Sequence, residues 1–435
     1  MFRIKALIRR LAPKRLVNLY HWLWAYGQAT RYGHPSRQIK IVGITGTKGK
    51  SSCTEIIDQM LRAGGHKTAV AGTIRFSVGD DHESNLLKQS MPGRGYLQKH
   101  LRRAVDAGCD WAVIEMTSEG SVQYRNRFIE LDCLVVTNLR PEHLESHGGF
   151  ENYKRAKLDI VKHSLAASSK RPRALIVNSD DEHHESFKGE ALVCGMNKSE
   201  IHTFAASSYE SSQFSHDGIR FEYESNLVHS SLVGEHNLSN LDSAIKVGEF
   251  AGMTTEQIIA GIRSVSVIPG RGQSVDMGQP FRVIVDYAHT NDSLEAMYKA
   301  WSGTPIIGIL GACGGGRDRW KRPDFGRLAD EYCKYVVLTN EDPYDEDPMQ
   351  IIEDMESGMD KSHENIRYKK ILDRREAFIH AFSQAEPGDV ILITGKGTDP
   401  YIMGPNGTRE AWSDLEVARE TLSSLGHYKA SNYGE

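Results

Sequence analysis

The chain has 435 residues, of which 39% are hydrophobic and 25% are charged, and its formal net charge is −4. This length allows two or three domains with large cores, and the near-neutral balance excludes a strongly basic nucleic-acid-binding protein. Six cysteines are scattered without a CxxC pair, which excludes a zinc ribbon and fits a reducing compartment. No apolar run reaches the ~18–20 residues of a membrane-spanning helix, so we expect a cytoplasmic protein.

The N-terminal segment differs in composition from the rest of the chain. Its first 15 residues carry six Lys or Arg among apolar side chains, and an apolar, aromatic run follows over residues 16–24. The segment lacks the long apolar core and small-residue cleavage site of a secretory signal, and it predicts a helical extension over residues 1–38. Two alternatives stay open: helices that pack on the main body, or a basic amphipathic helix that contacts an anionic membrane surface.

A glycine-rich loop follows the first predicted strand, residues 40–44, and precedes a helix predicted from Ser52 to about Arg62. The loop consists of Gly46, Thr47, Lys48, Gly49, Lys50, Ser51 and Ser52. Glycines let backbone N–H groups face an anion, Lys50 adds a positive charge, and the Ser51 hydroxyl can bind Mg²⁺. The pattern predicts a phosphate-binding loop, although the general nucleotide loop has a glycine where Ile44 stands.

Strand patterns then alternate with helix-length segments, at residues 67–70, 111–115, 133–137 and 174–178. This order predicts a parallel sheet with helices on both faces. Residues 195–232 read as hairpins that extend the sheet edge, and helices are predicted at 238–250 and 255–262. Pro269, Gly270 and Gly272 indicate a linker. Further strands are predicted at residues 281–286, 305–310, 335–339 and 390–394. The fold class is therefore α/β, with domains at 39–268 and 269–435.

Further segments occur in the order typical of one known family. They are Glu115–Ser118 (EMTS), 137–148 (TNLRPEHLESHG), 153–157 (YKRAK), 285–290 (VDYAHT), 314–323 (GGGRDRWKRP), 341–348 (EDPYDEDP) and 395–397 (GKG). With the glycine loop they resemble the Mur ligase family over about residues 39–415, most of all its muramoyl-tripeptide synthetase branch. The resemblance implies a central P-loop-type ATPase domain and a smaller, Rossmann-like C-terminal domain that binds the amino acid. It also implies an ATP-dependent acid–amino-acid ligase of peptidoglycan synthesis, which serves cell-wall biogenesis, cell shape and division.

The resemblance also assigns roles to individual residues. Lys50, Glu115, His143 and Lys157 are the expected catalytic residues. Asn237, Arg271, Asp286 and His289 are expected to join the loop in binding ATP. Two Mg²⁺ ions are expected on Ser51, Glu115, His143 and Lys157, the last after carbamylation by CO₂. His143 and His147 in isolation could suggest a zinc pair, but the HExxH signature is absent and Pro141 precedes them.

Departures from the family pattern bear on the substrates. The expected amino-acid site comprises Arg317, Asp342, Tyr344, Asp345, Lys396 and Asp399. Family members that add meso-diaminopimelate carry Asp-Asn-Pro-Arg where this chain has Glu-Asp-Pro-Tyr, and Tyr344 cannot form a bidentate ion pair with a carboxylate. Acidic neighbours suit an ammonium group, so lysine or another diamine is expected. The N-terminal extension stands where the family has a UDP-binding domain, so the acceptor carrier stays open.

Two other functions remain open from the sequence. One is a ligase of the same superfamily with another acceptor, of folate polyglutamate or cyanophycin type. The other is a non-catalytic ATP-binding partner protein, although the intact phosphate and metal positions count against it. The leading expectation is a monomeric enzyme with a muramoyl-peptide acceptor and an amino acid as small-molecule substrates, and without nucleic acid.

Overall fold

The structure is a computed structural model that describes residues 13–93, 95–142, 144–317 and 319–426. The basic stretch over residues 1–12 and His143 lie outside the described residues. The described chain divides into two compact units, which we call the first and second unit. The first comprises residues 13–213, 220–230 and 236–265, and the second comprises residues 214–219, 231–235 and 266–426. The domain boundaries after residues 38 and 268 stay predictions.

A mixed sheet forms the centre of the first unit. Its strands, among the described residues, are β1 (Lys40–Thr45), β2 (Thr68–Ala71), β3 (Arg75–Val78), β4 (Asp81–Ser84), β5 (Trp111–Glu115), β6 (Cys133–Val136), β7 (Ala174–Asn178) and β8 (Ile201–Phe204). Their order is β4-β3-β2-β5-β1-β6-β7-β8, and all neighbours are parallel except β2-β3 and β3-β4. The Ile- and Val-rich strands β1, β5 and β6 are almost wholly buried, as expected for a parallel sheet covered on both faces.

Helices cover this sheet. They are α1 (Lys14–Arg31), α2 (Lys50–Ala63), α3 (Tyr96–Asp106), α4 (Ser118–Val122), α5 (Leu144–His147), α6 (Phe150–Ile160), α7 (His184–Val193), α8 (His236–Ala251) and α9 (Thr255–Ser264). A π-helical segment, Val161–Ala166, continues α6, and short 3₁₀ helices occur at Pro35–Arg37, Lys198–Glu200 and Ala206–Ser208. α2 packs against α8 and α9. A Cβ at Gly261 would lie 2.8 Å from Met60 Cγ, so the glycine allows the close approach of α9.

The hairpin region forms a sheet of its own. β9 (Gln213–Ser215), β10 (Gly218–Tyr223) and β11 (Asn226–Ser230) pair in the order β11-β10-β9. The prediction that residues 195–232 extend the edge of the large sheet is confirmed for β8, which pairs with β7 in parallel. It is wrong for β9, β10 and β11, which form a separate sheet. β10 alternates buried and exposed residues, as a strand with one covered face does.

The second unit contains another α/β sheet. Its strands are β12 (Gln273–Ser274), β13 (Arg282–Val285), β14 (Ile306–Leu310), β15 (Tyr335–Leu338), β16 (Tyr368–Lys370) and β17 (Val390–Ile393), in the order β12-β13-β17-β14-β15-β16. β18 (Tyr401–Met403) and β19 (Arg409–Ala411) form a separate hairpin. The helices are α10 (Asn291–Ala300), α11 (Arg322–Tyr332), α12 (Pro348–Glu356), α13 (Arg374–Ser383) and α14 (Asp414–Ser424), with 3₁₀ helices at Arg319–Lys321, Lys361–His363 and Pro405–Gly407.

Two apolar clusters form the core of this second sheet, and all its paired neighbours are parallel except β12 and β13. The predicted α/β fold class is confirmed in both units. Among the described helices, none combines the length and apolar character that crossing a bilayer requires.

Candidate functional site

The glycine loop connects the end of β1 to the start of α2 in the middle of the first sheet. Gly46 and Gly49 have φ values of 145° and 81°, which side-chain-bearing residues rarely adopt. A Cβ at Gly46 would collide with Thr137 Oγ1, and one at Gly49 would lie 2.7 Å from Asn240 Oδ1. Glycine is therefore required at both positions, and the loop leads directly into a helix N-terminus that favours anions.

The segment after β6 holds the loop in place. The Arg140 N–H donates to Thr47 Oγ1 at 2.9 Å, and the Tyr153 hydroxyl lies 3.0 Å from the same oxygen. The Lys48 N–H donates to Asn138 Oδ1 at 2.8 Å. The glycine loop and the segment after residue 137 are about 90 residues apart in the sequence, and these hydrogen bonds join them into one structural unit.

Two lysines meet at the first residue of the loop. Lys50 Nζ donates to the carbonyl oxygens of Gly46 at 2.9 Å and Thr47 at 2.8 Å. Lys157 Nζ, from α6, donates to the same Gly46 oxygen at 2.7 Å. Two lysine side chains therefore meet on one carbonyl beside the N-terminus of α2, a position that favours anions.

Lys157 is buried, and its Nζ lies 4.9 Å from the centre of the Tyr153 ring. Burial lowers the pKa of Lys157 well below its usual value, and the nearby charges of Lys50 and Lys48 lower it further, while Glu142 opposes them. A lowered pKa favours the unprotonated, nucleophilic form of this amine.

Glu115 ends β5, the strand next to β1, and is paired in register with Ile44. Its carboxylate accepts the Thr73 N–H at 2.7 Å and the Thr73 hydroxyl at 2.8 Å. The side chain is buried, as is Ser51 in the first turn of α2. A buried carboxylate and a hydroxyl at the carboxyl edge of a parallel sheet are oxygen ligands of the kind that Mg²⁺ prefers. His143, the third expected ligand, lies outside the described residues.

A pair of asparagines on α8 approaches the other side of the loop. Asn240 Nδ2 donates to Asn237 Oδ1 at 2.9 Å, and Asn240 Oδ1 accepts from Cys53 Sγ on α2. Asn237 is the expected ATP contact, and Asn240 is the residue whose side-chain oxygen lies next to Gly49. The sequence signal for Asn240 was the run Asn237-Leu-Ser-Asn240, which places both amides one helical turn apart.

In the second unit, the three expected ATP residues gather at one turn. Asp286, directly after β13, accepts the Gly272 N–H at 2.6 Å. The Arg271 guanidinium lies 4.2 Å from the centre of the Tyr287 ring, whose centre is 4.5 Å from that of His289. The linker and the strand end thus present a cation, a carboxylate and an imidazole together.

The expected amino-acid residues fall into two groups in the second unit. Asp342 and Lys396 form a buried ion pair of 2.7 Å, and Asp342 also accepts the Met403 N–H at 2.8 Å. Asp399 lies at the edge of this pair, 3.7 Å from Lys396 Nζ. Asp342 and Lys396 neutralise each other. We therefore expect this pair to support the structure of the second unit and not to offer a net charge to a ligand.

The second group centres on Tyr344, which has a φ of 54°. Arg317 lies 5.5 Å from the Tyr344 ring centre and donates to its hydroxyl at 3.2 Å. Asp345 accepts the Asn406 N–H at 2.6 Å. Tyr344 and Arg317 thus form one cation–π unit, which the spacing of 27 residues did not predict.

Glu341 is the residue that sequence reasoning missed, although it opens the segment 341–348. It is only 5% exposed, and its Oε2 has no hydrogen-bond partner among the described residues. Burial raises the pKa of Glu341 to about 6, with Lys396 opposing the shift. A Cβ at Gly395 would collide with this oxygen. A buried carboxylate oxygen without a hydrogen-bond partner is costly, and the charges of Lys396 and Arg374 lie close enough to oppose the rise of its pKa.

Comparisons with known proteins show the family of this chain. The model of the Mur ligase middle domain matches residues 44–248, and that of the Mur ligase, glutamate ligase domain, matches residues 270–397. The UDP-N-acetylmuramyl-tripeptide synthetase of Roseiflexus sp. (strain RS-1) is 34% identical over 416 residues, which cover 92% of this chain and 81% of that protein. The chain belongs to the Mur ligase family.

Mur ligases are ATP-dependent ligases that use Mg²⁺. A second relative of this Mur ligase, the UDP-N-acetylmuramoyl-L-alanyl-D-glutamate--2,6-diaminopimelate ligase of Bacillus cereus (strain ATCC 14579), is 35% identical over 90% of this chain and 80% of its own length. A solved structure with the same ligase name has 29% identity and a TM-score of 0.60, and it covers 89% of this chain and 79% of its own.

The fold is also shared with more distant proteins. Folylpolyglutamate synthase of Mycobacterium tuberculosis, solved in complex with ADP, has 16% identity and a TM-score of 0.68, with 91% of this chain and 96% of that chain covered. At this identity the likeness concerns the fold alone.

Proposed function

We propose that this Mur ligase joins a carboxylate of a muramoyl-peptide acceptor to the amino group of an amino acid in peptidoglycan precursor synthesis. The observation that carries the proposal is the convergence of Lys50 and Lys157 on the Gly46 carbonyl. The names of the relatives support the acceptor class. The proposed site residues are those expected from the sequence, with Asn240 and Glu341 added.

The chemistry requires two group transfers. The γ-phosphoryl group of ATP passes to the acceptor carboxylate, which gives an acyl phosphate and ADP. The amine then attacks the acyl carbon, so that an amide forms while phosphate and a proton leave. In such transfers the protein mainly neutralises charge and positions the reactants. Lys50 and the N-terminus of α2 would hold the phosphates, joined by Asn237, Arg271, Asp286 and His289.

Two oxygen ligands among the described residues support the proposal of a Mg²⁺ site. The Ser51 hydroxyl and the Glu115 carboxylate are hard oxygen ligands, and both are buried beside the loop. His143 and a carbamylated Lys157 would complete the set. When bound, Mg²⁺ offsets the negative charge that the phosphates and the acceptor carboxylate bring together.

Carbamylation of Lys157 is the covalent step in this proposal. The neutral amine attacks CO₂, a C–N bond forms, and one proton is released to solvent. The lowered pKa of Lys157 supports this step, because only the unprotonated amine reacts. The product is an anion with two oxygens, and it replaces a cation that would repel Mg²⁺ at the same place.

For the incoming amine we propose lysine or another diamine. The unpartnered carboxylate of Glu341, with Asp399 nearby, would attract a distal ammonium group. A second candidate is diaminopimelate, the amino acid in the name of the Bacillus cereus relative. The Arg317 guanidinium beside Tyr344 favours it, since it could pair with the distal carboxylate.

We further propose that the chain works in the cytoplasm as a monomer, with peripheral membrane contact through its N-terminal region. The acceptor could be linked to UDP or to another carrier. Ligation of a folate or cyanophycin-type acceptor remains the alternative within the superfamily, and a non-catalytic ATP-binding protein remains the alternative outside it.

Amine-dependent ADP release by the purified full chain tests the proposal. UDP-N-acetylmuramoyl-L-alanyl-D-glutamate is offered with ATP, Mg²⁺ and, in turn, lysine, ornithine or diaminopimelate, and the product mass is measured. We expect ADP and an amide product, with lysine or ornithine preferred. ADP release only with a folate or peptide-polymer acceptor would support the superfamily alternative. ATP binding without turnover on any acceptor would support the partner-protein alternative.

A further inference from the structure

Helix α1 has two different sides. Toward the body of the first unit, the Trp22 and Tyr26 rings stack on each other and both meet Phe128 edge-on, with centroid distances of 5.5 and 5.4 Å. Ala29 is fully buried on the same side. One side of α1 therefore packs against the first unit, and the opposite side faces outward.

The outward side of α1 is apolar. It carries five large hydrophobic side chains that are between 42% and 60% exposed, namely Leu16, Leu19, Tyr20, Leu23 and Trp24. At 3.6 residues per turn these positions fall within one contiguous arc of the helix, and we call them the α1 outer face. Exposed apolar patches of this kind mark sites of interaction.

The charged residues that precede Glu55 in the chain are all basic. The chain contains no Asp or Glu before Glu55, whereas its first 15 residues include Arg3, Lys5, Arg9, Arg10, Lys14 and Arg15. Helix α1 itself carries Arg15 and Arg31 at its two ends and no Asp or Glu, so a symmetric dimer through the α1 outer face would bring like charges together. The occupant that fits must therefore be apolar at the contact and negatively charged around it.

We propose that the α1 outer face, together with Lys14 and Arg15 in the first turn of the helix, binds the surface of an anionic phospholipid bilayer. Tyr and Trp rings are enriched at the boundary between headgroups and acyl chains, and Leu side chains gain from burial just below it. Lys and Arg next to such a helix are attracted to anionic lipid. The inference deepens the membrane contact of the proposed function by naming the binding face and the lipid charge.

Vesicle flotation of the full chain, without ATP or substrates, tests the proposal separately from ligase activity. We expect the protein to float with vesicles of phosphatidylcholine and phosphatidylglycerol but not with vesicles of phosphatidylcholine alone. The double variant Leu19→Glu/Leu23→Glu should lower the bound fraction about tenfold or more, because both side chains would have to enter the acyl region with a charge. Lys14→Gln/Arg15→Gln should weaken binding less, and added salt should weaken it further.

Val193→Glu is the matched control, since Val193 is an 85% exposed apolar residue at the end of α7. It should bind anionic vesicles like the unchanged chain. Circular dichroism melts of every variant serve as a control, and we expect all variants to remain folded. The proposal is overturned if the unchanged chain does not float with anionic vesicles, or if Leu19→Glu/Leu23→Glu floats equally well. It is also overturned if sedimentation shows a dimer that this double variant dissociates, because a second copy would then cover the α1 outer face.

Discussion

The glycine loop of the first unit and the acidic segment of the second unit use lysine in opposite ways. At the loop, Lys157 is buried and donates to a backbone carbonyl, which carries no formal charge. In the second unit, Lys396 is equally buried and is paired with the Asp342 carboxylate. The two lysines therefore differ in their partners and not in their burial.

The largest expected effect concerns Lys157. Lys157→Ala should lower amine-dependent ADP release by on the order of 10³-fold, because the site loses the anionic ligand that the proposed carbamate would supply to Mg²⁺. Short carboxylates such as acetate should restore part of the rate. Lys162→Ala, an exposed lysine shortly after α6, is the control and should keep full activity. Full activity of Lys157→Ala without added carboxylate would contradict the carbamate proposal.

The ion pair of the second unit should control stability instead. Asp342→Asn leaves Lys396 buried without its carboxylate, so the free energy of unfolding should fall by about 3–5 kcal/mol. Urea denaturation followed by circular dichroism measures the change. Asp345→Asn changes an exposed neighbour in the same segment and should cost less than about 1 kcal/mol. Equal losses of unfolding free energy in the two variants would show that the buried ion pair stabilises the fold no more than the exposed Asp345 carboxylate does.

We expect Glu341 to contact the substrate amine, in contrast to the structural ion pair of Asp342 and Lys396. Glu341→Gln removes a carboxylate whose Oε2 has no described partner, so the fold should not be destabilised. The KM for the amine should rise by roughly tenfold or more, the equivalent of one charge-assisted hydrogen bond, while kcat changes little. An unchanged KM for every amine would place the ammonium site elsewhere.

The pH dependence follows from the same residue. The pKa of Glu341 is raised to about 6, chiefly by burial, so its carboxylate is charged above that pH and becomes neutral below it. The KM for the amine should therefore rise as the pH falls through about 6. In Glu341→Gln this dependence should disappear. Steady-state kinetics between pH 5 and 8 measure both profiles, and a dependence that persists in the variant would assign it to another group.

The smallest effect again concerns Lys157, now on stability. The pKa of the folded lysine is lowered by burial, so at neutral pH the unfolded chain binds this proton more tightly than the folded chain does. Burial therefore costs stability below the ordinary lysine pKa. In CO₂-depleted buffer Lys157→Met should raise the melting temperature by a few degrees while abolishing ADP release. A lower melting temperature would show that the Gly46 contact outweighs the burial cost.

Local patterns in the sequence predicted much of the molecule. The strands at residues 111–115 and 174–178 were predicted with the bounds that the structure shows, because continuous apolar runs between turn signals indicate buried strands. The glycine loop was equally clear, since its backbone conformation depends on Gly46 and Gly49 themselves. Of the region 195–232 that was predicted to extend the large sheet, β8 does so, whereas residues 213–230 form a separate sheet, because alternation indicates a strand but not its neighbour.

The candidate site shows the same division. Which residues form the glycine loop, and the prediction that it binds phosphate, follow from the sequence alone because the chemistry is carried by neighbours in the chain. Only the tertiary structure decided that Lys157 lies on the Gly46 carbonyl, 111 residues away, that Asp342 is neutralised by Lys396, and that Glu341 has a buried oxygen without a hydrogen-bond partner in the described part of the chain. Burial and partner choice depend on which distant segments pack together, and those are the properties that determine whether a charge is offered to a ligand or used by the fold.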